Sequence, residues 1–193
     1  SEMCIRDRYG EILLAARRLR RLVKNLLDVS RLESGALKPK LDWCDLGDVI
    51  EGALAATREA RRDHPVSVAL PPDYPLVKAD FSLMEQVLVN LLLNACVHTP
   101  AGTPMTLKGG ADPVRGQVWL DVHDLGPGIP PERAETIFER FRTTRPGGLG
   151  LGLSIVRGFM EAQRGAVTLV AVPAGTCFRL VLPLVEHDHV PEE

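Results

Sequence analysis

Apolar residues at Ile12, Ala15, Leu19, Leu22, Leu26 and Val29 step by 3, 4, 3, 4 and 3 positions. That heptad seam predicts one long helix over 11–34, and it asks for a partner helix. Ala16, Val23 and Leu27 widen the seam into a bundle face. Arg17, Arg18, Arg20, Arg21 and Lys24 fall largely outside it; such a run reads first as a solvated face and second as a docking surface for an acidic partner. Gly35 ends the helix, as a left-handed cap residue does. Beyond it the period changes. A strand is expected over 38–43, an amphipathic helix over 46–61, and short strands over 66–70 and 76–79, bounded by Pro65, Pro71, Pro72 and Pro75. An apolar helix over 80–98 has Asp80 or Ser82 as its cap, with Glu85 in capping-box spacing from Ser82. Strands over 105–109 and 117–124 form a hairpin; a Gly/Pro/Arg-rich loop leads to a helix over 153–163, and strands over 166–172 and 176–182 close the fold. Regular βαβ alternation is missing, so an α+β class is expected, with helices layered on one face of a sheet.

Composition narrows this picture. The 193 residues are 45% hydrophobic and 25% charged, which excludes disorder over most of the length. With 23 Lys+Arg against 25 Asp+Glu the net charge is −2, which argues against nucleic-acid binding by bulk charge. No uninterrupted apolar run reaches the roughly 18 residues of a membrane span; the stretch over 87–97 is broken by Asn90 and Asn94. Cys4, Cys44, Cys96 and Cys177 are scattered without a CxxC pair, so disulfide or zinc scaffolding is not expected and a reducing cytosol is the default. Residues 1–10 connect poorly to the heptad pattern after them and read as a scar or disordered start. The expected units are therefore a helical arm over 11–36, one domain over 37–185 and a flexible tail over 186–193.

Three clusters carry candidate chemistry. Asn90 and Asn94 stack four apart on an apolar helix, although asparagine is a mediocre helix former. They are either a satisfied polar pair at the rim of the core or a ligand pair, since an amide oxygen suits Mg²⁺ that arrives on phosphate oxygens. In the strand over 117–124, Val118, Leu120 and Val122 alternate inward, which puts Asp124 on the buried face just before Gly126 and Gly128. A carboxylate there needs a partner. It can cap a tight turn through an Asx interaction, or accept from an exocyclic amine and so select adenine over guanine. Finally, Gly148-Leu149-Gly150-Leu151-Gly152 runs straight into a helix, where successive N–H groups can hold an anion. Alone this is weak: no Gly-Lys-Ser/Thr of a P-loop exists, and no strand precedes it as in a dinucleotide fingerprint.

In order, Asn-x3-Asn, Asp-x-Gly-x-Gly, Phe-x-x-Phe (Phe138, Phe141) and Gly-x-Gly-x-Gly are more specific than any one. Together they resemble the asparagine, first glycine, phenylalanine and second glycine boxes of the sensor histidine kinase ATP-binding domain. That domain belongs to the superfamily shared with gyrase, MutL and certain heat-shock chaperones. The resemblance covers about residues 37–184, and residues 26–35 look like the end of the second helix of the family's dimerisation and phosphoacceptor hairpin. Residues 176–183 and the overall spacing are most similar to the potassium-responsive KdpD-type kinases.

The resemblance implies a two-layer α/β sandwich of Bergerat type, binding ATP and Mg²⁺. Asn94 would coordinate Mg²⁺ and Asn90 would assist at the phosphates. Asp124 would bond the adenine amino group, with Gly126, Gly128 and Ile129 shaping the pocket. Gly148, Leu149, Gly150, Leu151 and Gly152 would anchor a lid that Phe138 and Phe141 pack against the body. Implied partners are a response-regulator receiver domain and a second copy through the hairpin helix, with no nucleic acid. The implied location is the cytoplasmic side of a parent protein in the inner membrane. Hydrolytic members and anti-sigma serine kinases carry Glu where this chain has Asn90, and an amide cannot act as a base. Transfer to a neutral imidazole needs no such base.

The sequence also departs from the family. His64, His98, His123, His187 and His189 all lack the phosphoacceptor context, so the first hairpin helix with its histidine is expected to be missing. Val97 stands where many relatives place Lys or Arg, a contact that Arg140, Arg142 or Arg145 could replace, and the lid is short. A nucleotide-sensing interaction module without transferase activity is therefore the alternative expectation. An ATP-hydrolysing relative comes third.

Overall fold

The computed structural model describes residues 2–143 and 149–185. Helix α1 (Glu2–Glu33) begins nine residues ahead of its expected start and takes in residues 2–10. The only breaker among them is Gly10, and one interior glycine costs only about 1 kcal/mol. Gly35 turns the chain at φ 64°, in the left-handed region expected of it. The heptad seam divides. Val29 is buried against the body, whereas Ile12, Leu19 and Leu26 stay exposed beside Val23 and Leu27.

Strand β1 (Asp42–Cys44) is shorter than expected, because the Lys40 N–H donates to Asp80 Oδ2 at 2.8 Å rather than to a ladder. After α2 (Leu46–Thr57) come β2 (Val66–Ala69) and β3 (Val77–Ala79), and β3 pairs antiparallel with β1 in a two-stranded sheet. The main sheet adds β4 (Met105–Asp112), β5 (Gln117–Asp124), β6 (Ala166–Val170) and β7 (Thr176–Pro183) in the order β2-β4-β5-β7-β6. β2 runs parallel to β4 and every other pair is antiparallel, so the sheet is mixed. The expected α+β class, a sheet with a helical layer, is the fold observed.

Helix α3 (Phe81–His98) is the centre of the helical layer, with α2 on one side and α5 (Gly152–Ala162) on the other. Of its two candidate caps, Asp80 serves: its carboxylate accepts from the Leu83 N–H, and its own N–H donates to Gln163 Oε1 at 2.7 Å. Met84, Val87, Leu88, Leu91, Leu92 and Ala95 are buried, joined by Val118, Leu120 and Val122 from the inner face of β5. By length and composition α3 could cross a membrane, but its apolar stripe is already spent on this core. A short helix α4 (Pro131–Ala134) stands in the Gly/Pro-rich segment expected to be loop throughout. On the outer face of the sheet Arg179 grips Asp121 through two bonds of 2.7 and 2.8 Å and lies over the Trp119 ring.

Candidate functional site

Asp124 ends β5 on the buried face, as the strand alternation predicts. One carboxylate oxygen, Oδ1, accepts from the Gly126 N–H at 2.9 Å. The Asx interaction is thus present. Burial pushes the carboxyl pKa up; the N–H groups of Gly126 and Thr176 and the nearby His123 and His98 oppose that shift. Thr176 stands opposite Asp124 in the β5–β7 register and lines the same cavity. Gly126 itself does not line the cavity. A Cβ on it would lie 2.4 Å from Thr99 Cγ2 and 2.7 Å from Asp124 Oδ1, so it serves by letting the chain close over the acid.

Asn90 and Asn94 face the same cavity, of about 710 Å³, together with Asp124, Gly128, Ile129, Leu149, Gly150, Leu151 and Gly152. The Asn90 amide nitrogen is buried without a hydrogen-bond partner among the described residues. A satisfied polar pair at the rim of the core is therefore not what the structure holds, and an orphaned amide costs roughly 1–3 kcal/mol. Gly152 is a direct neighbour of that amide: a Cβ on it would lie 4.0 Å from Asn90 Oδ1. Helix α5 starts at Gly152 with no side-chain cap among the described residues, so its first N–H groups are available to an anion. Among the described residues no three His, Cys, Asp or Glu side chains gather as a metal site. Two amide side chains with hard oxygens, in one cavity with the start of α5, do fit a Mg²⁺ whose remaining ligands are phosphate oxygens.

The loop between the phenylalanines and the glycines is closed at its base. The Phe141 N–H donates to the Gly150 carbonyl at 3.0 Å. Both residues lie at φ 62°, and a Cβ on Gly150 would sit 2.6 Å from the Arg142 backbone. Gly148 and Arg145 fall outside the described residues. Phe138 packs edge-to-face on Phe178 with centroids 6.0 Å apart, in the core rather than on the cavity. Phe141 does not pack the loop against the body: its ring is 67% exposed, because the positive φ turns it outward. Arg140 is not at the cavity either, since it forms an ion pair with Glu33 at the end of α1. Arg142 takes that place and lines the cavity while its Nε donates to Glu139 at 2.9 Å.

Sequence reasoning missed Thr99, Arg133 and Thr176, and above all Arg21, Leu22 and Asn25, by which α1 supplies a wall of the cavity. Thr176 was accessible through the expected pairing of the strands that carry it and Asp124. The α1 residues were not, because a heptad seam does not tell which side meets its own domain.

A family model described as histidine kinase-, DNA gyrase B-, and HSP90-like ATPase matches residues 79–186. Sensor protein KdpD of Escherichia coli K12 is 37% identical over 84% of this chain, which spans 18% of KdpD. The mycobacterial sensor histidine kinase MprB superposes with a TM-score of 0.65 at 33% identity, covering 74% of this chain and 97% of that one. ShkA, solved full-length in complex with AMPPNP, superposes with a TM-score of 0.75 at 28% identity, covering 86% of this chain and 35% of ShkA. Four ordered motifs, a mixed sheet with a helical layer and a shared cavity agree with that match: the chain belongs to the histidine kinase-, DNA gyrase B- and HSP90-like ATPase family, among its sensor histidine kinases.

Proposed function

We propose that this chain binds Mg·ATP in the cavity between α3, β5 and the Gly150 loop and passes the γ-phosphoryl to a histidine on a dimerisation hairpin, from which it moves to a response-regulator aspartate. The observation that carries the reading is that two amides on α3 and the carboxylate at the tip of β5 open into one cavity. Asp124, kept from water, accepts from the adenine amino group; guanine presents a carbonyl there and is rejected. Asn94 and Asn90 face the phosphates, with Mg²⁺ supplying charge neutralisation when bound. The uncapped start of α5 receives phosphate oxygens through its N–H groups. Transfer forms an N–P bond at a neutral imidazole as the bond to the β-phosphate oxygen breaks and ADP leaves. Because the imidazole is already nucleophilic, Asn90 in place of a general base costs nothing in this reaction and disfavours hydrolysis.

The exposed row of Ile12, Leu19 and Leu26 supports pairing with a second copy through α1. The receiver domain as partner and a cytoplasmic position beneath an inner-membrane parent belong to the same proposal. The nucleotide-sensing module without transferase activity remains the second reading, favoured by Val97, which brings an exposed apolar side chain to the cavity. Radiolabelled ATP mixed with this chain and a separately purified KdpD hairpin carrying its acceptor histidine decides between them. Acid-labile label on the hairpin is expected; nucleotide bound to saturation with no label transferred selects the sensing module.

A further inference from the structure

Helix α1 crosses the rim of the cavity in a definite register. Asp28 is buried and accepts from Gln86 Nε2 on α3, and Leu32 lies against Gly158 on α5. Arg21, Leu22 and Asn25 line the same cavity as Asn90, Leu93, Asn94 and Val97. Asp28 is thus tied to α3 one turn ahead of Asn90, and the α1 residues one to two turns before Asp28 enter the same cavity as Asn90 and Asn94. Seven residues of helix span about 10.5 Å, so Arg21 enters the cavity about two turns from the Asp28–Gln86 contact. The adenine-selecting carboxylate is on another element, at the tip of β5.

The charges around the opening are unequally engaged. Arg142 is held by Glu139. Arg133 belongs to the segment that runs on from Gly128 and Ile129, on the Asp124 side. Arg21 is exposed and has no ion-pair partner among the described residues. At the asparagine end α3 offers two neutral amides and the apolar Val97, a poor match for several negative charges; its one titratable group on the cavity, His98, acts on Asp124. A guanidinium presents two parallel N–H donors suited to phosphate oxygens.

We propose that Arg21 of α1 is a phosphate-binding residue, reaching the terminal phosphates of a nucleoside triphosphate from the helical arm, so that the arm completes the site. This rests on the reading that the cavity takes ATP. It implies that nucleotide affinity reports the position of α1, since any movement of the arm withdraws the cation.

The test uses the full chain with Mg²⁺ and measures equilibrium affinity for ATP and for adenosine. Losing one charge-assisted contact is expected to weaken ATP about tenfold or more in Arg21→Gln, while adenosine binds as before. Arg20→Gln, one position along α1 and off the cavity, leaves both unchanged. Adding Val97→Lys to Arg21→Gln restores ATP affinity by returning a cation from α3, which a structural role for Arg21 would not allow. ATP affinity undiminished in Arg21→Gln, or adenosine lost in parallel, overturns this inference alone. A wild-type chain that binds neither overturns the underlying reading.

Discussion

Asp124 shows how a site residue burdens the fold that carries it. Its carboxyl is buried and its pKa is raised, so the folded state holds the proton more tightly than the unfolded chain does. Linkage then gives the sign: stability falls as pH rises through the raised value, and the penalty is present above it. Asp124→Asn keeps an oxygen for the Gly126 N–H and removes the buried charge. The nucleotide-free variant is therefore expected to melt higher than wild type at pH 7 and to lose that advantage near pH 3, which calorimetry at the two pH values checks. In the wild type, adenine affinity should fall on acidification from above the ordinary carboxylate range, because protonation takes the acceptor away. Asp124 was legible because strand alternation and two following glycines fix its direction. Arg140 was not, since nothing local indicates that Glu33, 107 positions away, would take it.

Among the elements, the loop between Phe141 and Gly150 depends on its base. Two residues with left-handed backbone meet there through one hydrogen bond, and only one of them is glycine. Gly150→Ala would place a Cβ 2.6 Å from the Arg142 backbone, at a φ that costs an ordinary residue about 1–3 kcal/mol. The expected result is a loss of that order in urea denaturation, with ATP affinity reduced and adenosine affinity kept; equal weakening of both ligands would contradict a phosphate-side role. The elements themselves were largely readable, since the periods of α3, β5 and β7 are strong. The α4 turn and the short β1 were not. A four-residue helix has no period to read, and β1 is trimmed by a bond from Lys40 to the distant cap Asp80. Helix α1 is the instructive case: its 3–4 spacing was plain, but a tertiary contact decided that Val29 faces inward while Leu19 and Leu26 stay open.

For the molecule as a whole, α3 joins core and site in one element. Its apolar stripe packs between α2, α5 and the inner face of the sheet, which leaves Asn90 and Asn94 a fixed direction. Leu91 is buried between the two asparagines, and Leu91→Ala is expected to cost about 2–5 kcal/mol. The same change should weaken Mg·ATP by loosening the amides, measured by denaturation and by binding on the same sample. Fold class could be read from the sequence because mixed elements without βαβ order leave few layered solutions. The closing of the cavity by the helical arm could not, because it needs the register between α1 and α3.

Calorimetric titration of the full chain decides whether an acid, two amides and a glycine-rich loop form one adenine nucleotide site. Mg·ATP should bind with a dissociation constant in the micromolar range. Mg·GTP should bind far more weakly, and Asp124→Asn should abolish ATP binding while the protein stays folded. Equal affinity for ATP and GTP, or ATP binding that survives Asp124→Asn, would contradict the account.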